Sequence, residues 1–284
     1  MGTLYIVGTP IGNLEDITLR GSRVLGEVGL IAAEDTRVTR RLLSHLQLRV
    51  PLTSYHKHNW QTKIPSLLLA LDSFDVALVT DAGMPGISDP GCELVARAAA
   101  SGFPVEAVPG SSAVTTAMAV SGLPADEFLF LGFLPRRIKE RQAKLRSVAV
   151  FPQTIAIFEA PHRVQATLKD LFAVLGNRQI TVCRELTKFY EEVFRGVISQ
   201  AQEHFTAPRG EFVLVVAGAT PATESQEASV PTQEHVIAQL IELRESGLRA
   251  KEAVPEVMKN TGLPKKAVYQ LWLDIVVGRD VGSS

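Results

Sequence analysis

Short apolar runs alternate along the chain with stretches in which apolar residues recur every three or four positions. The runs predict strands at 4–8, 28–34, 76–80, 105–109, 128–133, 154–159, 180–185, 192–197 and 211–218. The stretches between them predict helices near 16–27, 36–47, 60–72, 91–101, 112–121, 138–149 and 162–175. Strand–helix alternation of this kind predicts an α/β fold with largely parallel pairing in the first half. Between 180 and 218 the strands follow one another more closely, which predicts antiparallel pairs there. Residues 218–233, "GATPATESQEASVPTQ", are small, polar and Pro-containing and read as a linker. Three helical patterns follow, at 233–246, about 249–260, and 265–276. Val236, Leu240 and Leu243 share one face of the first, and Pro255 inside the second predicts a kink or a shortened helix. The expected organisation is an α/β domain over 1–120, a second over 121–220, a linker over 221–232, and a small helix-turn-helix-like tail over 233–284.

Polar clusters fall at the ends of the predicted strands. They are "GTPIGNLEDIT" (8–18), "AEDTR" (33–37), "SYHKHN" (54–59), "DAGMPGISDPG" (81–91), "VPGSSA" (108–113), "FEAPHR" (158–163) and "CRELTKFYEE" (183–192). Ligands of open α/β sheets bind at the carboxyl ends of strands, so this concentration predicts a binding edge. The segment 81–91 has a plainer reading as well: Asp89 as the cap of a helix whose first residue is Pro90. Capping accounts for "SDPG" but not for "DAGMPGI". Ser111 or Ser112 in "VPGSSA", and Glu34 or Asp35 in "AEDTR", have the same double reading as helix caps or ligand contacts.

Composition narrows the picture. The 284 residues are 46% hydrophobic, enough for real cores, and the net charge of −1 leaves only local basic surfaces for a polyanion. Two distant cysteines, Cys92 and Cys183, predict a reducing compartment and no disulfide framework. The first residues read as a strand rather than a signal peptide, and no apolar run approaches the roughly 18 residues of a membrane span. A cytoplasmic protein without membrane contact is expected. The six histidines are scattered, and no metal site is expected. "GTPIGN" lacks the Gly-Lys-Ser/Thr of a phosphate loop, no G-x-S-x-G elbow occurs, and Pro85 interrupts any dinucleotide-binding glycine spacing.

Taken together, "GTPIGNLEDITLR", "AEDTRVTRRLL", "SYHKHN", "DAGMPGISDPG", "VPGSSA", "GFLPRR", "FEAPHR" and "RELTKFYEE" resemble the tetrapyrrole-methylase superfamily, the class III S-adenosylmethionine methyltransferases. The resemblance is greatest to its ribosomal-RNA branch and runs nearly the whole chain. It implies two α/β domains with a cofactor cleft between them, plus the helical tail. It also implies a homodimer that uses S-adenosylmethionine for 2′-O-methylation of a cytidine in 16S rRNA, on the small ribosomal subunit. By motif, the cofactor would meet Pro10, Asp81, Gly83, Met84, Ile87, Ser111, Ser112, Ala113, Phe158 and Leu186. A small-molecule tetrapyrrole methyltransferase and a non-catalytic ribosome-assembly factor are the competing readings.

Methyl transfer to a ribose hydroxyl needs alignment and a proton acceptor, and no metal. Near the implied cleft the candidate catalytic residues are Glu34, Asp35, His56 and Lys188, with Glu159 beside them. His56 has the most suitable ordinary pKa, while Lys188 would need a strongly lowered one. For RNA, "PRRIKERQAKLR" (135–146) carries six basic residues against one acid. Arg136, Arg137 and Arg141 in it, with Arg37 and Asn59, are the expected substrate contacts; Arg40, Arg41, Lys265 and Lys266 add basic surface. Phe133, Tyr55 and His56 are candidates for stacking on a base.

Overall fold

The computed structural model describes residues 1–219, 233–246, 248–261 and 263–277. Residues 1–219 form one compact unit, and the helices after residue 232 belong to another. The expected linker lies outside the described residues.

The first unit contains two sheets. One is fully parallel, built from β1 (Leu4–Val7), β2 (Leu30–Ala33), β3 (Leu52–Ser54), β4 (Val76–Val79) and β5 (Val105–Val108), in the order β3-β2-β4-β1-β5. The four residues of β4 are all buried, as a strand covered on both faces must be. Helices α1 (Leu19–Glu27) and α2 (Thr36–His45) pack on one face with Ile31, Ala33 and Val79. Helices α3 (Trp60–Leu71) and α4 (Cys92–Ala100) pack on the other with Ala32, Val76 and Leu78. Adjacent strands β2 and β4 therefore send their chains to opposite faces, and a crevice opens at their carboxyl ends.

The second sheet is mixed. It contains β6 (Phe128–Phe133), β7 (Thr154–Glu159), β8 (Gln179–Arg184), β9 (Glu192–Val197) and β10 (Phe212–Val216), in the order β6-β7-β10-β8-β9. Only β6 and β7 are parallel; the remaining pairs are antiparallel, as the close strand spacing predicts. Helices α6 (Ile138–Val148), α7 (Val164–Leu175) and α8 (Ile198–His204) cover one face with a continuous apolar core. The other face packs against α5 (Ala113–Ser121), through Val114, Ala117 and Met118. Thus the helix that leaves the last strand of the first sheet covers the second, and Ile11 from the loop after β1 joins the same cluster.

Three local expectations change. The predicted helix 16–27 divides into a short 3-10 turn, Leu14–Asp16, and α1, because Thr18 caps α1 by accepting the Gly21 N–H at 2.9 Å. Strand β3 and helix α8 are too short, at 3 and 7 residues, to carry a periodic signal. Asp89 does not cap α4: the helix starts at Cys92 behind Gly91, which turns through φ +155° and leaves 87–90 as irregular chain.

The tail holds α9 (Gln233–Glu245), α10 (Ala250–Thr261) and α11 (Lys265–Val277), around Val236, Leu240, Val254, Val268 and Trp272. Helix α10 runs through Pro255 as one element rather than stopping there. Among the described residues no helix is long and apolar enough to cross a membrane.

Candidate functional site

The cavity that gathers the predicted motifs has a volume of about 430 Å³, within the usual range for small-molecule sites. It lies inside the first unit, where the carboxyl edge of the parallel sheet faces one edge of the mixed sheet.

Its backbone frame is a set of tight turns. Thr9 and Gly83 exchange two hydrogen bonds: Thr9 N–H donates to Gly83 O at 3.0 Å and Gly83 N–H to Thr9 O at 3.1 Å. The Thr9 hydroxyl donates to Thr80 O at 3.0 Å. Gly83 sits at φ +83°, a conformation that favours glycine. Gly8 and Gly110 touch back to back; a Cβ on Gly110 would stand 2.7 Å from Gly8 O. The loops after β1, β4 and β5 are thereby locked together beneath the cavity.

The cavity wall is acidic on the parallel-sheet side. Glu34, Asp81 and Asp89 all line it. Burial pushes the Glu34 and Asp81 carboxyls above their ordinary values, and the neighbouring carboxylates reinforce the shift. Asp89 is pushed up to about 6, first by burial and then by the charges of Glu34 and Asp81. Asp35 behaves oppositely: hydrogen bonds from Arg37 hold its exposed carboxyl at about 2. The side facing it carries the apolar Phe158 and Leu186, with Phe133 beside them, and also Glu159 and Glu211. The Phe133 and Phe158 rings meet edge-on at 5.7 Å.

Eight residues of the cofactor set line this one cavity: Asp81, Gly83, Met84, Ile87, Ser112, Ala113, Phe158 and Leu186. Pro10 is buried beside Thr9, and Ser111 turns its hydroxyl to Asp16 O at 3.4 Å. Ser112 is the N-cap residue of α5 but makes no side-chain cap bond, so its hydroxyl is not committed to the helix.

Of the catalytic candidates, Glu34 and Glu159 line the cavity, but the Glu159 carboxylate is already engaged by the Thr167 hydroxyl, the Ala160 N–H and Arg163. Asp35 caps α2, accepting the Arg37 N–H at 2.8 Å, and forms an ion pair with the Arg37 side chain. His56 is half-buried, and its Nδ1 accepts the His58 N–H at 3.3 Å. Lys188 is a correction. Burial favours its neutral form, but Glu211 and Glu185, each 2.9 Å from Nζ, more than offset this and raise its pKa. It stays a charged ammonium, not a proton acceptor.

Three expected RNA contacts are also corrected. Arg141 is buried and ion-paired with Asp170 at 2.5 Å, so it faces the core of the second sheet's helical layer. The Asn59 amide is engaged by its own loop, accepting the His56 N–H and donating to Ser54. Tyr55 is fully buried and offers no stacking face. Arg37, Arg136 and Arg137 remain exposed.

Sequence reasoning missed Glu211, Phe212 and Val213, which also line the cavity. Strand β10 runs antiparallel to β7 and β8, so its amino end reaches the site. A search confined to carboxyl ends of strands does not find it.

Residues 3–202 match the family model of the tetrapyrrole (corrin/porphyrin) methylases. A ribosomal RNA small subunit methyltransferase I from Halalkalibacterium halodurans is 44% identical over 281 residues, covering 95% of this chain and 94% of its own. One of the same name from Thermotoga maritima is 47% identical over 221 residues, covering 77% of this chain and 99% of its own. Among solved structures, the uroporphyrin III C-methyltransferase of Thermus thermophilus superposes with a TM-score of 0.56 at 21% identity, over 76% of this chain and 97% of its own. That likeness is one of fold.

Proposed function

The chain belongs to the tetrapyrrole methylase family, and from that premise we propose that it methylates the 2′-hydroxyl of a cytidine in 16S rRNA, with S-adenosylmethionine as donor. The observation that carries this reading is the identity of 44–47% to relatives named as small-subunit rRNA methyltransferases, one of them along nearly the whole chain. The tetrapyrrole enzyme shares only the fold.

The cavity suits the donor on its own chemistry. S-adenosylmethionine supplies an electrophilic methyl group on a positively charged sulfur. Three carboxyls that partial burial shifts upward, Glu34, Asp81 and Asp89, line the cavity together, with no cationic side chain lining it among the described residues. A cation placed there relieves their repulsion. The Ser112–Ala113 turn at the start of α5 lines the cavity and presents backbone groups to a polar edge, and Phe158 and Leu186 cover an apolar face.

The protein's own work is then alignment and proton removal. Holding the acceptor oxygen in line accounts for up to about 7–11 kcal/mol of the barrier. Glu34 takes the hydroxyl proton in this reading: it reaches the cavity, and burial makes its carboxylate more basic than an exposed one. Arg136, Arg137 and Arg37 meet phosphates outside the cavity. The enzyme works in the cytoplasm, as a homodimer, on the assembled small subunit.

The test is incubation of the full chain with labelled S-adenosylmethionine and, separately, small subunits, naked 16S rRNA and a porphyrinoid. Label is expected in a 2′-O-methylcytidine of the particle. Label confined to the porphyrinoid overturns the substrate, and donor binding without transfer to any of the three overturns the enzyme.

A further inference from the structure

The segment that ends β6 is held by side chains that come from beneath it. Arg163 Nη2 donates to Leu134 O at 2.7 Å and to Pro135 O at 3.2 Å. The same guanidinium pairs through Nε with Glu159 at 3.2 Å, and the Glu159 side chain is completely buried at the cavity wall. Glu159 is itself fixed, accepting from the Thr167 hydroxyl at 2.5 Å and from the Ala160 N–H at 2.9 Å. From α6, Arg141 Nη1 donates to Arg136 O at 3.2 Å while Asp170 grips its other side. Three consecutive carbonyls, 134 to 136, are thus tied down by two arginines, one half-buried and one buried.

Leu134 is buried and Pro135 half-buried, so arginine donors rather than water meet these carbonyls and hold the segment in place. Its exposed flanks are what it displays. Phe133, just before the tied carbonyls, is 57% exposed although its ring leans on Phe158 inside the cavity. Gly132 turns through φ +60° and lies so close to the 81–91 loop that a Cβ there would stand 2.9 Å from Ser88 Oγ. Arg136 and Arg137, just after, are exposed; Arg137 pairs with Glu140 at 3.2 Å, itself exposed and exchangeable. An aromatic face at the rim of an acidic cavity, followed within four residues by two guanidinium groups, has the layout of a single-stranded nucleic-acid contact: ring for a base, arginines for the adjoining phosphates. The anionic wall inside the cavity repels phosphate and so favours a polyanion that stays at this rim.

We propose that Phe133 is the stacking platform for a base of the single-stranded RNA at the methylation site, and that Arg163 and Arg141 are positioning residues that hold it. The inference rests on the rRNA-methylating reading above and names its substrate-facing element. A second copy of the chain is the other partner able to cover an exposed Phe133, and the test separates the two.

The test uses the full-length chain, small ribosomal subunits and labelled S-adenosylmethionine. Phe133→Ala is expected to raise the KM for the particle about tenfold or more, the usual scale for losing one base–aromatic contact. Because the ring also borders the cavity, donor affinity, measured by calorimetry, falls as well, but by less than the particle KM rises. Phe133→Tyr restores most of the loss, because it keeps the ring. Arg163→Lys, which cannot span both carbonyls and Glu159, shifts the particle KM in the same direction with kcat less affected; its melting curve establishes that it is folded. An unchanged particle KM in Phe133→Ala, while the wild type methylates the particle, overturns this inference alone. A fall in donor affinity that matches the particle effect makes the ring a donor contact and overturns it as well. A change in molar mass by light scattering, with the KM unmoved, assigns the ring to a second copy. Wild-type enzyme that labels no particle overturns the functional reading and takes this one with it.

Discussion

The Asp81 carboxylate accepts the backbone N–H of Asp35 at 3.0 Å, so the loop after β4 fastens the turn after β2. In return, the Asp81 N–H faces Glu34 Oε2 at 3.4 Å. The bottom of the crevice is therefore braced by acids. Burial is what chiefly raises their proton affinity, and their closeness to one another adds to it.

Donor binding should release protons. A cation beside Glu34, Asp81 and Asp89 favours their ionised forms, so binding is tightest above pH 7 and weakens as the pH falls through about 6, the Asp89 value. Below that point affinity drops by up to about tenfold per pH unit for each proton that must leave. Calorimetry in buffers of different ionisation enthalpy measures the release directly. Asp89→Asn should flatten the profile near pH 6; a profile unchanged in that variant removes Asp89 from the site.

The same carboxyl makes a prediction about stability, with the opposite slope from the usual salt-bridged acid. Its folded pKa is raised from 3.8 to about 6, so the folded state holds the proton more tightly than the unfolded one. Its contribution is fully present below about pH 4 and is lost as the pH rises through 6. Asp89→Asn removes the buried charge and should raise the melting temperature near pH 8. Discounted for partial exposure, the gain is about 1 kcal/mol, or roughly 2–4 °C in a protein of this size. The difference from wild type should vanish at pH 4.

Arg141 and Asp170 form a buried ion pair at 2.5 Å, with Gln142 satisfying the second carboxylate oxygen at 2.7 Å. Removing one partner strands the other. Asp170→Ala is expected to cost about 3–5 kcal/mol by urea unfolding. Arg141→Met combined with Asp170→Leu should recover most of that, because a well-packed apolar pair tolerates burial better than a lone charge. If the double variant is as unstable as the single, the pair is not what fixes α6 to α7.

Much of the fold is legible in the chain because its signals are long and periodic. The nine strands expected from apolar runs all have counterparts, and the missing one, β3, is three half-buried residues at a sheet edge. The donor-side turns are legible because glycine, proline and aspartate crowd a strand end where the backbone must turn tightly, as at Gly83 and Asp81. The sequence misleads where a side chain has two partners to choose between. Asp89 before Pro90 looks like a cap, yet Gly91 starts the helix and frees the acid for the cavity. Arg141 looks like one more charge on a basic helix, yet the fourth residue after Arg137 faces inward onto Asp170. Nothing local in "KERQAKLR" reveals the acid 29 positions away that accounts for it.

The arginines that do remain outside should act as phosphate contacts, and salt is the instrument that detects them. Arg136 and Arg137 are exposed at the segment that Arg163 ties to the cavity wall. Replacing both with alanine removes two positive charges without disturbing any buried group, since the carbonyl that Arg141 holds at Arg136 belongs to the backbone. Particle binding should weaken most at low salt and converge on wild type as salt rises. If both side chains meet phosphates of single-stranded RNA, the slope of log affinity against log salt should shrink by about 1.4, or 0.7 per contact. Calorimetric affinity for S-adenosylmethionine should be retained, because neither side chain lines the cavity. An unchanged salt slope would place the phosphate contacts elsewhere, and an equal loss of donor and particle binding would mean that the fold, not the contact, had been damaged.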